Sequence, residues 1–162
     1  NKSYDSEIKL FLSDVDGTMT DAGMYFSETG DELKKFNTRD GKGFELLRKS
    51  GIKVGIITSE NTSLVSKRAE KLKVDFLYQG VEHRGKLDIV KKICKSEKIN
   101  LHNVAYIGDD LNCIELLNSV GLSACPSDAS INVKNIPNIK VLTKKGGDGV
   151  VRELIDIILQ RK

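Results

Sequence analysis

Apolar runs of strand length alternate with longer amphipathic segments along most of the chain. The runs predict strands near residues 8–13, 53–58, 75–78, 104–108, 121–124 and 139–142. Between them, apolar residues recur at helical spacing, which predicts helices near residues 41–50, 62–72, 85–97, 110–119 and 148–160. Strands that alternate with helices are typical of an α/β fold with a mostly parallel sheet and right-handed crossovers.

Residues 24–36 depart from this alternation. Two β-forming segments, 24–27 and 32–36, flank the turn-forming residues 28–31, a pattern that predicts a β-hairpin. A lone hairpin is only marginally stable in water, so it needs a surface to pack on. Its own domain is one candidate, and another subunit is the one that we expect.

Composition narrows the class of protein. The chain has 162 residues, 30% of them charged and 39% hydrophobic, and a formal net charge of +3. These values fit a single globular domain over residues 1–162 with a substantial core. Basic residues are interleaved with acidic ones, which argues against nucleic-acid binding. The longest apolar runs are strand-length, so we predict no membrane span, and we find no signal peptide.

The cysteines indicate the cellular compartment in which the protein is expected. Cys94, Cys113 and Cys125 are odd in number and lack the spacing of metal sites. Free thiols in a reducing cytoplasm are the simplest explanation, so we expect a cytoplasmic protein. The chain begins at Asn1 rather than at Met, and we expect a trimmed protein or part of a longer one.

Candidate chemistry lies where the strands end. The sequence Asp14-Val15-Asp16-Gly17-Thr18 follows the first apolar run. Open α/β sheets form their sites at the carboxyl ends of strands. Two carboxylates there could hold Mg²⁺, or one could attack a substrate while the other moves a proton. An acidic turn after a strand is the alternative.

Three more polar side chains occupy comparable positions. Thr58 ends the second long strand, Asp109 follows the apolar run 104–107, and Lys86 begins a predicted helix. With Asp14, this order of nucleophile, hydroxyl, lysine and acid resembles the haloacid dehalogenase (HAD) phosphatase superfamily over nearly the whole chain. Thr58 could instead cap the next helix, and Lys86 could belong to a solvated helix start.

The resemblance implies a Rossmannoid three-layer α/β/α sandwich. HAD enzymes often carry a cap domain between the first and second motifs or between the second and third. Here residues 17–57 supply only the hairpin and one helix, and residues 59–85 supply one helix and a short strand. The chain therefore resembles the capless subclass, with the 24–36 hairpin as a flap. An open site of this kind is closed by a neighbouring protomer or accepts large substrates.

The resemblance also implies residue roles and a cofactor. Asp14 would attack phosphorus to form an aspartyl phosphate, while Asp16 would protonate the leaving alkoxide and then deprotonate water. Mg²⁺ would be held by Asp14, the Asp16 backbone carbonyl and Asp109. Thr58 would hydrogen-bond a phosphoryl oxygen, and Lys86 would stabilise the charge that develops.

One position departs from the superfamily pattern. Relatives commonly read G-D-D-x-x-D in the fourth motif, whereas this chain has Cys113 in place of the last acid. A thiol is a poor ligand for Mg²⁺. We expect weaker metal binding or an impaired site, with Asp110 as an outer-shell acid. Activity should be retained because Asp109 is present.

Other segments point to one group within the superfamily. Residues 36–41, 78–80 and 146–153 resemble the 3-deoxy-D-manno-octulosonate 8-phosphate (KDO 8-phosphate) phosphatases. This group includes 2-keto-3-deoxynononate 9-phosphate (KDN 9-phosphate) phosphatases and C-terminal domains of acylneuraminate cytidylyltransferases. The resemblance implies a homotetramer in which the hairpin and the C-terminal glycine-rich segment cover a neighbour's site.

The residues after the second strand favour a nine-carbon substrate. The chain reads Thr58-Ser59-Glu60, whereas nononate enzymes of the group read T-G-E and KDO 8-phosphate phosphatases usually read T-G-R. Arg68 and Lys71 share a helix face, where Arg68 could bind the substrate carboxylate. Glu60 and Lys71 could bind hydroxyls or an amino-sugar end. A solvated helix is the alternative.

Further substrate-side groups are predicted at Arg39, Gly146, Gly147 and Arg152. A glycine-rich turn before a helix can bind anions through its N–H groups, although it is equally ordinary geometry for a helix start.

Together these features predict a Mg²⁺-dependent phosphatase acting on KDN 9-phosphate or N-acylneuraminate 9-phosphate. KDO 8-phosphate phosphatase is the alternative. A non-catalytic oligomerisation module of a cytidylyltransferase is an alternative of another class, and the complete set of catalytic residue types argues against it. The missing cap disfavours a phosphomutase.

Overall fold

The computed structural model describes residues 7–82 and 84–161. In this part of the chain, the main sheet consists of β1 (Leu10–Ser13), β4 (Lys53–Ile57), β5 (Phe76–Tyr78), β6 (Val104–Ile107), β7 (Leu122–Cys125) and β8 (Lys140–Val141). A separate hairpin is formed by β2 (Tyr25–Phe26) and β3 (Glu32–Leu33).

The main sheet is parallel throughout, in the order β5-β4-β1-β6-β7-β8. β1 lies between β4 and β6 and is fully buried. Phe11 faces one side of the sheet, whereas Leu10 and Leu12 face the other. Such a strand needs a continuous apolar run, which its sequence provides. The carboxyl ends of β1, β4 and β6 therefore meet at one edge of the sheet.

Helices cover both faces of the sheet. They are α1 (Thr38–Lys49), α2 (Ser63–Leu72), α3 (Gly85–Glu97), α4 (Ile114–Ser119), α5 (Ile131–Lys134) and α6 (Val150–Gln160). The buried residues of α1, α2 and α6 pack with Phe11. Those of α3, α4 and α5 pack with Leu10 and Leu12. This three-layer α/β/α sandwich confirms the predicted fold class.

The 24–36 segment forms the predicted hairpin, although each of its strands is only two residues long. An isolated bridge between Thr20 and Phe36 ties the base of the hairpin to the loop that follows β1. Met24, Phe26 and Leu33 are 75%, 57% and 59% exposed, so the hairpin carries apolar side chains that residues 7–82 and 84–161 leave uncovered.

The described residues contain no cap domain. Between β1 and β4 the chain forms only the hairpin and α1, and between β4 and α3 it forms only α2 and β5. The capless architecture expected from the motif spacing is therefore confirmed. None of the helices described here is both long and apolar enough to cross a membrane.

Some element bounds differ from the predictions. The helix predicted at 41–50 begins at Thr38, because the Asn37 side chain accepts a hydrogen bond from the Arg39 N–H and caps it. The helix predicted at 110–119 divides into the 3₁₀ turn Leu111–Cys113 and α4. The short helix α5 was not predicted, because four residues carry too little periodicity.

Candidate active site

The carboxyl edge of the sheet brings the predicted catalytic side chains together. Asp14 follows β1, Thr58 follows β4, and Lys86 lies in the first turn of α3. Lys86 Nζ donates to Asp14 Oδ1 at 3.1 Å, and the two residues are only 1% and 4% exposed. Lys86 is therefore no solvated helix-start residue but one partner of a buried ion pair.

The charge of Lys86 is maintained by its neighbours. Burial disfavours the ammonium form, but the charge of Asp14 and the hydrogen bonds with Asp14 and Cys113 outweigh burial and raise the pKa of Lys86 above its usual value. The side chain therefore remains a cation beside the Asp14 carboxylate at neutral pH.

A tight loop after β1 shapes the site. The N–H groups of Thr18, Met19 and Thr20 all donate to the carbonyl of Val15. Gly17, at φ +79°, adopts a left-handed conformation, and a Cβ atom there would lie 1.9 Å from Asp109 Oδ2. Glycine is therefore required both by the backbone and by the carboxylate that packs on it.

Asp109 faces Asp14 across this loop. Ligand atoms of Asp14, Asp109 and Cys113 lie within 4.8 Å of one another. Burial, followed by the negative charge of Asp14, raises the pKa of Asp109 well above its usual range. Two carboxylates held this close require a proton or a cation between them, and oxygen donors are those that Mg²⁺ prefers. Asp14 and Asp109 therefore fit a Mg²⁺ ion, and the backbone carbonyl of Asp16 stays a predicted third ligand.

Cys113 belongs to the same buried cluster. Its Sγ lies 3.4 Å from Asp14 Oδ2, accepts a hydrogen bond from the Tyr106 hydroxyl at 3.1 Å, and lies 3.7 Å from Lys86 Nζ. Burial and the charge of Asp14 raise the pKa of Cys113 to about 12, so the thiol is protonated at neutral pH. Sequence reasoning assigned no role to Tyr106, because its place in an apolar strand indicates only a core residue.

The hairpin contributes a residue that sequence reasoning missed. Lys34 Nζ lies 2.8 Å from Asp16 Oδ1 and 3.3 Å from Glu32 Oε1, and its side chain is only 7% exposed. Burial opposes the charge, but the hydrogen bonds to Asp16 and Glu32 outweigh it and raise the pKa of Lys34. Lys34 directly follows β3, and no local pattern in the sequence indicates its contact with Asp16.

Thr58 is not a helix cap. Its N–H donates to the Tyr78 carbonyl at 2.9 Å, and its hydroxyl accepts a hydrogen bond from the Glu60 N–H at 3.2 Å. The cap of α2 is Thr62, which accepts from the Val65 N–H. The Thr58 hydroxyl is therefore buried at the same carboxyl edge of the sheet as Asp14.

The residues predicted to bind the sugar acid are more dispersed. Ser59 and Glu60 are exposed beside Thr58, and Ser59 accepts a hydrogen bond from Asn112 Nδ2 at 3.0 Å. Arg39 and Lys71 are also exposed.

Arg68 has contacts of its own within the chain. Its Nη2 donates to the Asn37 carbonyl at 3.3 Å, and its guanidinium lies 5.4 Å from the Phe36 ring centroid. Arg68 therefore links α2 to Phe36 and Asn37 at the end of the hairpin segment. It does not belong to a solvated helix face, which was the alternative.

The glycine-rich segment before α6 packs within its own chain. The Gly147 N–H donates to the Thr18 carbonyl at 3.1 Å, and the Gly146 N–H donates to Asp128 Oδ1 at 3.1 Å. A Cβ on Gly146 would lie 1.9 Å from the Gly17 carbonyl oxygen. These N–H groups are therefore hydrogen-bonded within the chain, and a role of Gly146 and Gly147 in binding substrate anions stays a prediction.

Arg152 is likewise engaged elsewhere. Its N–H donates to Asp40 Oδ1, its Nε donates to Asp156 Oδ1, and its Nη1 donates to the Arg39 carbonyl. These bonds join α6 to the start of α1. Arg152 thus has a structural role, and its predicted substrate role stays a prediction.

Comparison with known proteins agrees with this geometry. Residues 81–154 match a protein family described as haloacid dehalogenase-like hydrolase. The chain is 40% identical over 155 residues to the 3-deoxy-D-manno-octulosonate 8-phosphate phosphatase KdsC of Yersinia pestis, an alignment that covers 95% of this chain and 81% of that protein.

Solved structures give the same result. The phosphatase of the same name from Moraxella catarrhalis, in complex with a magnesium ion, a phosphate ion and a KDO molecule, matches with a TM-score of 0.91 and 32% identity. That match covers 99% of this chain and 91% of the other. The cobalt-bound deoxy-D-mannose-octulosonate 8-phosphate phosphatase of Haemophilus influenzae matches with a TM-score of 0.88 and 31% identity, over 99% and 91% of the two chains.

Proposed function

The chain belongs to the KDO 8-phosphate phosphatase group of haloacid dehalogenase-like hydrolases, and we propose that KDO 8-phosphate is its substrate. It is accordingly a Mg²⁺-dependent phosphoric monoester hydrolase. The observation that carries the substrate proposal is 40% identity to a KDO 8-phosphate phosphatase over 95% of the chain.

The nine-carbon preference drawn from Glu60 is not supported by the comparisons. The Yersinia, Moraxella and Haemophilus proteins are all named for the eight-carbon sugar acid phosphate. A single residue in an exposed loop is weaker support than similarity over the whole chain. The eight-carbon alternative is therefore the better proposal, and the non-catalytic module is set aside because the chain belongs to an enzyme family.

The reaction is proposed to begin with Asp14. Lys86 fixes Asp14 Oδ1 at 3.1 Å, which orients the carboxylate toward the open carboxyl edge of the sheet. The Asp14 carboxylate attacks phosphorus, the bond from phosphorus to the sugar oxygen breaks, and an aspartyl phosphate forms. When held by Asp14, Asp109 and the Asp16 carbonyl, Mg²⁺ supplies positive charge that offsets the repulsion between nucleophile and phosphate.

Asp16 is proposed to move the protons. It donates one to the sugar oxygen as that oxygen leaves, and it then takes one from the water that attacks the phosphorus of the intermediate. The second step breaks the bond to Asp14 and releases inorganic phosphate. The Lys34 contact at 2.8 Å holds the Asp16 side chain in place between the steps.

Phosphoryl oxygens are proposed to be bound by Thr58 and Lys86. Both residues are buried, so their hydroxyl and ammonium groups act where water competes little. The proposed contacts for the sugar acid are unchanged from those that the sequence predicts. They are Ser59, Glu60, Arg68, Lys71, Arg39, Gly146, Gly147 and Arg152.

Substrate choice is tested by phosphate release under Mg²⁺ from KDO 8-phosphate, KDN 9-phosphate and N-acetylneuraminate 9-phosphate. We expect the highest kcat/KM for KDO 8-phosphate and no release by Asp14→Asn. A higher value for either nine-carbon compound would overturn the substrate proposal and leave the phosphatase chemistry intact.

We also propose a homotetramer in which the hairpin is the contact surface. Met24, Phe26 and Leu33 are exposed apolar side chains on one short hairpin, which is unfavourable in an isolated chain. Light scattering during size-exclusion chromatography should give four times the chain mass, and Phe26→Asp should lower it. A wild-type monomer would contradict the proposal. Three free buried cysteines are consistent with the expected cytoplasmic location.

A further inference from the structure

Cys113 lies close enough to the two carboxylates to share a cation with them. One ligand atom from each of Asp14, Asp109 and Cys113 falls within 4.8 Å of the others. Cys113 has no exposed surface, and its Sγ lies 3.4 Å from Asp14 Oδ2. The chain thus sets a sulfur beside the oxygen donors of its metal site.

The separation between sulfur and oxygen fits one shared ion. Zinc bonds of about 2.0 Å to a carboxylate oxygen and about 2.3 Å to sulfur, at a tetrahedral angle, separate those two atoms by about 3.5 Å. The observed distance between Cys113 Sγ and Asp14 Oδ2 is 3.4 Å. A cation can therefore bind both atoms with little movement of either side chain.

Two donors already point at the sulfur. The Tyr106 hydroxyl lies 3.1 Å from Cys113 Sγ, and Lys86 Nζ lies 3.7 Å from it. Hydrogen bonds from outside the ligand shell orient a metal ligand and offset its charge. Tyr106 and Lys86 would do so for a metal-bound thiolate of Cys113.

We propose that Asp14, Asp109 and Cys113 form a mixed oxygen and sulfur site for borderline-soft divalent cations such as Zn²⁺, Co²⁺ or Cd²⁺. Thiolate ligands favour these ions, whereas Mg²⁺ takes oxygen ligands and leaves the sulfur uncoordinated. Binding forms a metal–sulfur bond and releases the proton of the Cys113 thiol to solvent. The inference rests on the metal position of the proposed function.

Such a cation inhibits the Mg²⁺-supported reaction. Asp14 is a ligand of Mg²⁺ in the proposed reaction, so a cation bound to both Asp14 Oδ2 and Cys113 Sγ displaces that Mg²⁺ and ties the attacking carboxylate to the sulfur ligand. Zn²⁺ should therefore compete with Mg²⁺, and Cys113→Asp, which removes the sulfur and supplies an oxygen donor, should reduce inhibition by Zn²⁺ at least about tenfold.

The direct test is a Co²⁺ titration of the full chain, followed by sulfur-to-cobalt charge-transfer absorption in the ultraviolet. We expect a band that saturates at one Co²⁺ per chain and is absent from Cys113→Ser. Cys94→Ser is the matched control and should keep the band, because Cys94 lies in α3, outside the ligand cluster. Cys113→Ala and Cys113→Asp are measured beside it, with thermal unfolding curves to identify folded variants.

The titration separates this inference from the proposed function. A wild-type protein without the band, or a band that persists in folded Cys113 variants, overturns the sulfur ligand. Phosphate release with Mg²⁺ alone is measured on the same preparations. If Mg²⁺ supports hydrolysis but Co²⁺ gives no band, the inference fails and the phosphatase stands. If the band forms but no phosphate is released, the metal site stands and the substrate proposal fails.

Discussion

Replacing Lys86 by Met tests whether the buried ion pair holds the site together. The variant keeps the length of the side chain but leaves the Asp14 carboxylate buried beside Asp109 without its cation. Breaking a buried pair by removing one partner costs about 3–5 kcal/mol. The free energy of unfolding, measured in urea without divalent cations, should fall by an amount of this order.

A matched exposed pair isolates the effect of burial. Lys53 Nζ lies 2.7 Å from Glu97 Oε2, closer than the 3.1 Å of the Lys86–Asp14 pair, but the Lys53 side chain is 50% exposed. Surface pairs contribute little because water screens them. Lys53→Met should therefore leave the unfolding curve nearly unchanged, although its ion pair is shorter.

A double variant identifies the cause of the loss. Asp14→Asn combined with Lys86→Met removes both charges and the repulsion of Asp109, so it should be more stable than Lys86→Met alone. If Lys86→Met costs no more than Lys53→Met, or if the double variant recovers nothing, the reasoning about the buried pair is wrong. In activity assays, Lys86→Met should lower kcat by about 10²–10³.

Further predictions concern the loop after β1, the α1 start and the hairpin. Gly17→Ala should abolish Mg²⁺-dependent hydrolysis by displacing Asp109. Gly30 is also left-handed, but a Cβ there would meet nothing within 4 Å, so Gly30→Ala should lower only stability. Equal activities of the two variants would contradict this. Burial raises the pKa of Asp40 to about 6, so the folded protein holds the Asp40 proton more tightly than the unfolded chain does. The contribution of this proton to the free energy of unfolding is lost as the pH rises through 6. The free energy of unfolding in urea should therefore rise for Asp40→Asn relative to wild type, by up to about 3 kcal/mol between pH 4 and pH 7. If the unfolding free energies of the two proteins change with pH in parallel, this prediction is wrong. Phe26→Asp should lower the mass in light scattering without changing the thermal unfolding of the isolated domain, and an unchanged mass would contradict the interface.

The sheet and the core of the site could be predicted because their signals are local. β1 and β6 are buried on both faces and therefore have continuous apolar sequences, and parallel topology then brings the residues after them to one edge. Asp14 and Asp109 follow these strands directly. Their proximity also needs β1 and β6 to be neighbours in the sheet, and the alternation of strands and helices alone does not imply that order.

Contacts made across long sequence separations could not be predicted in this way. Lys34 reaches Asp16 because the hairpin folds back over the loop, and no local pattern encodes that direction. The Gly147 N–H donates to the Thr18 carbonyl because this segment lies against the loop at Gly17, whereas the Gly146 N–H donates to Asp128, and neither contact has a local signal in the sequence. Cys113 was recognised as a departure, whereas its contact with Tyr106 depends on packing between β6 and the 3₁₀ turn Leu111–Cys113.

The most direct test of the account is rapid acid quenching during KDO 8-phosphate turnover, followed by mass spectrometry of the peptide that contains Asp14. With Mg²⁺ present, we predict a phosphate adduct on Asp14 that forms before free phosphate accumulates and is absent from Asp14→Asn. Phosphate release without such an adduct, together with turnover by Asp14→Asn, would contradict the assignment of Asp14 as the nucleophile.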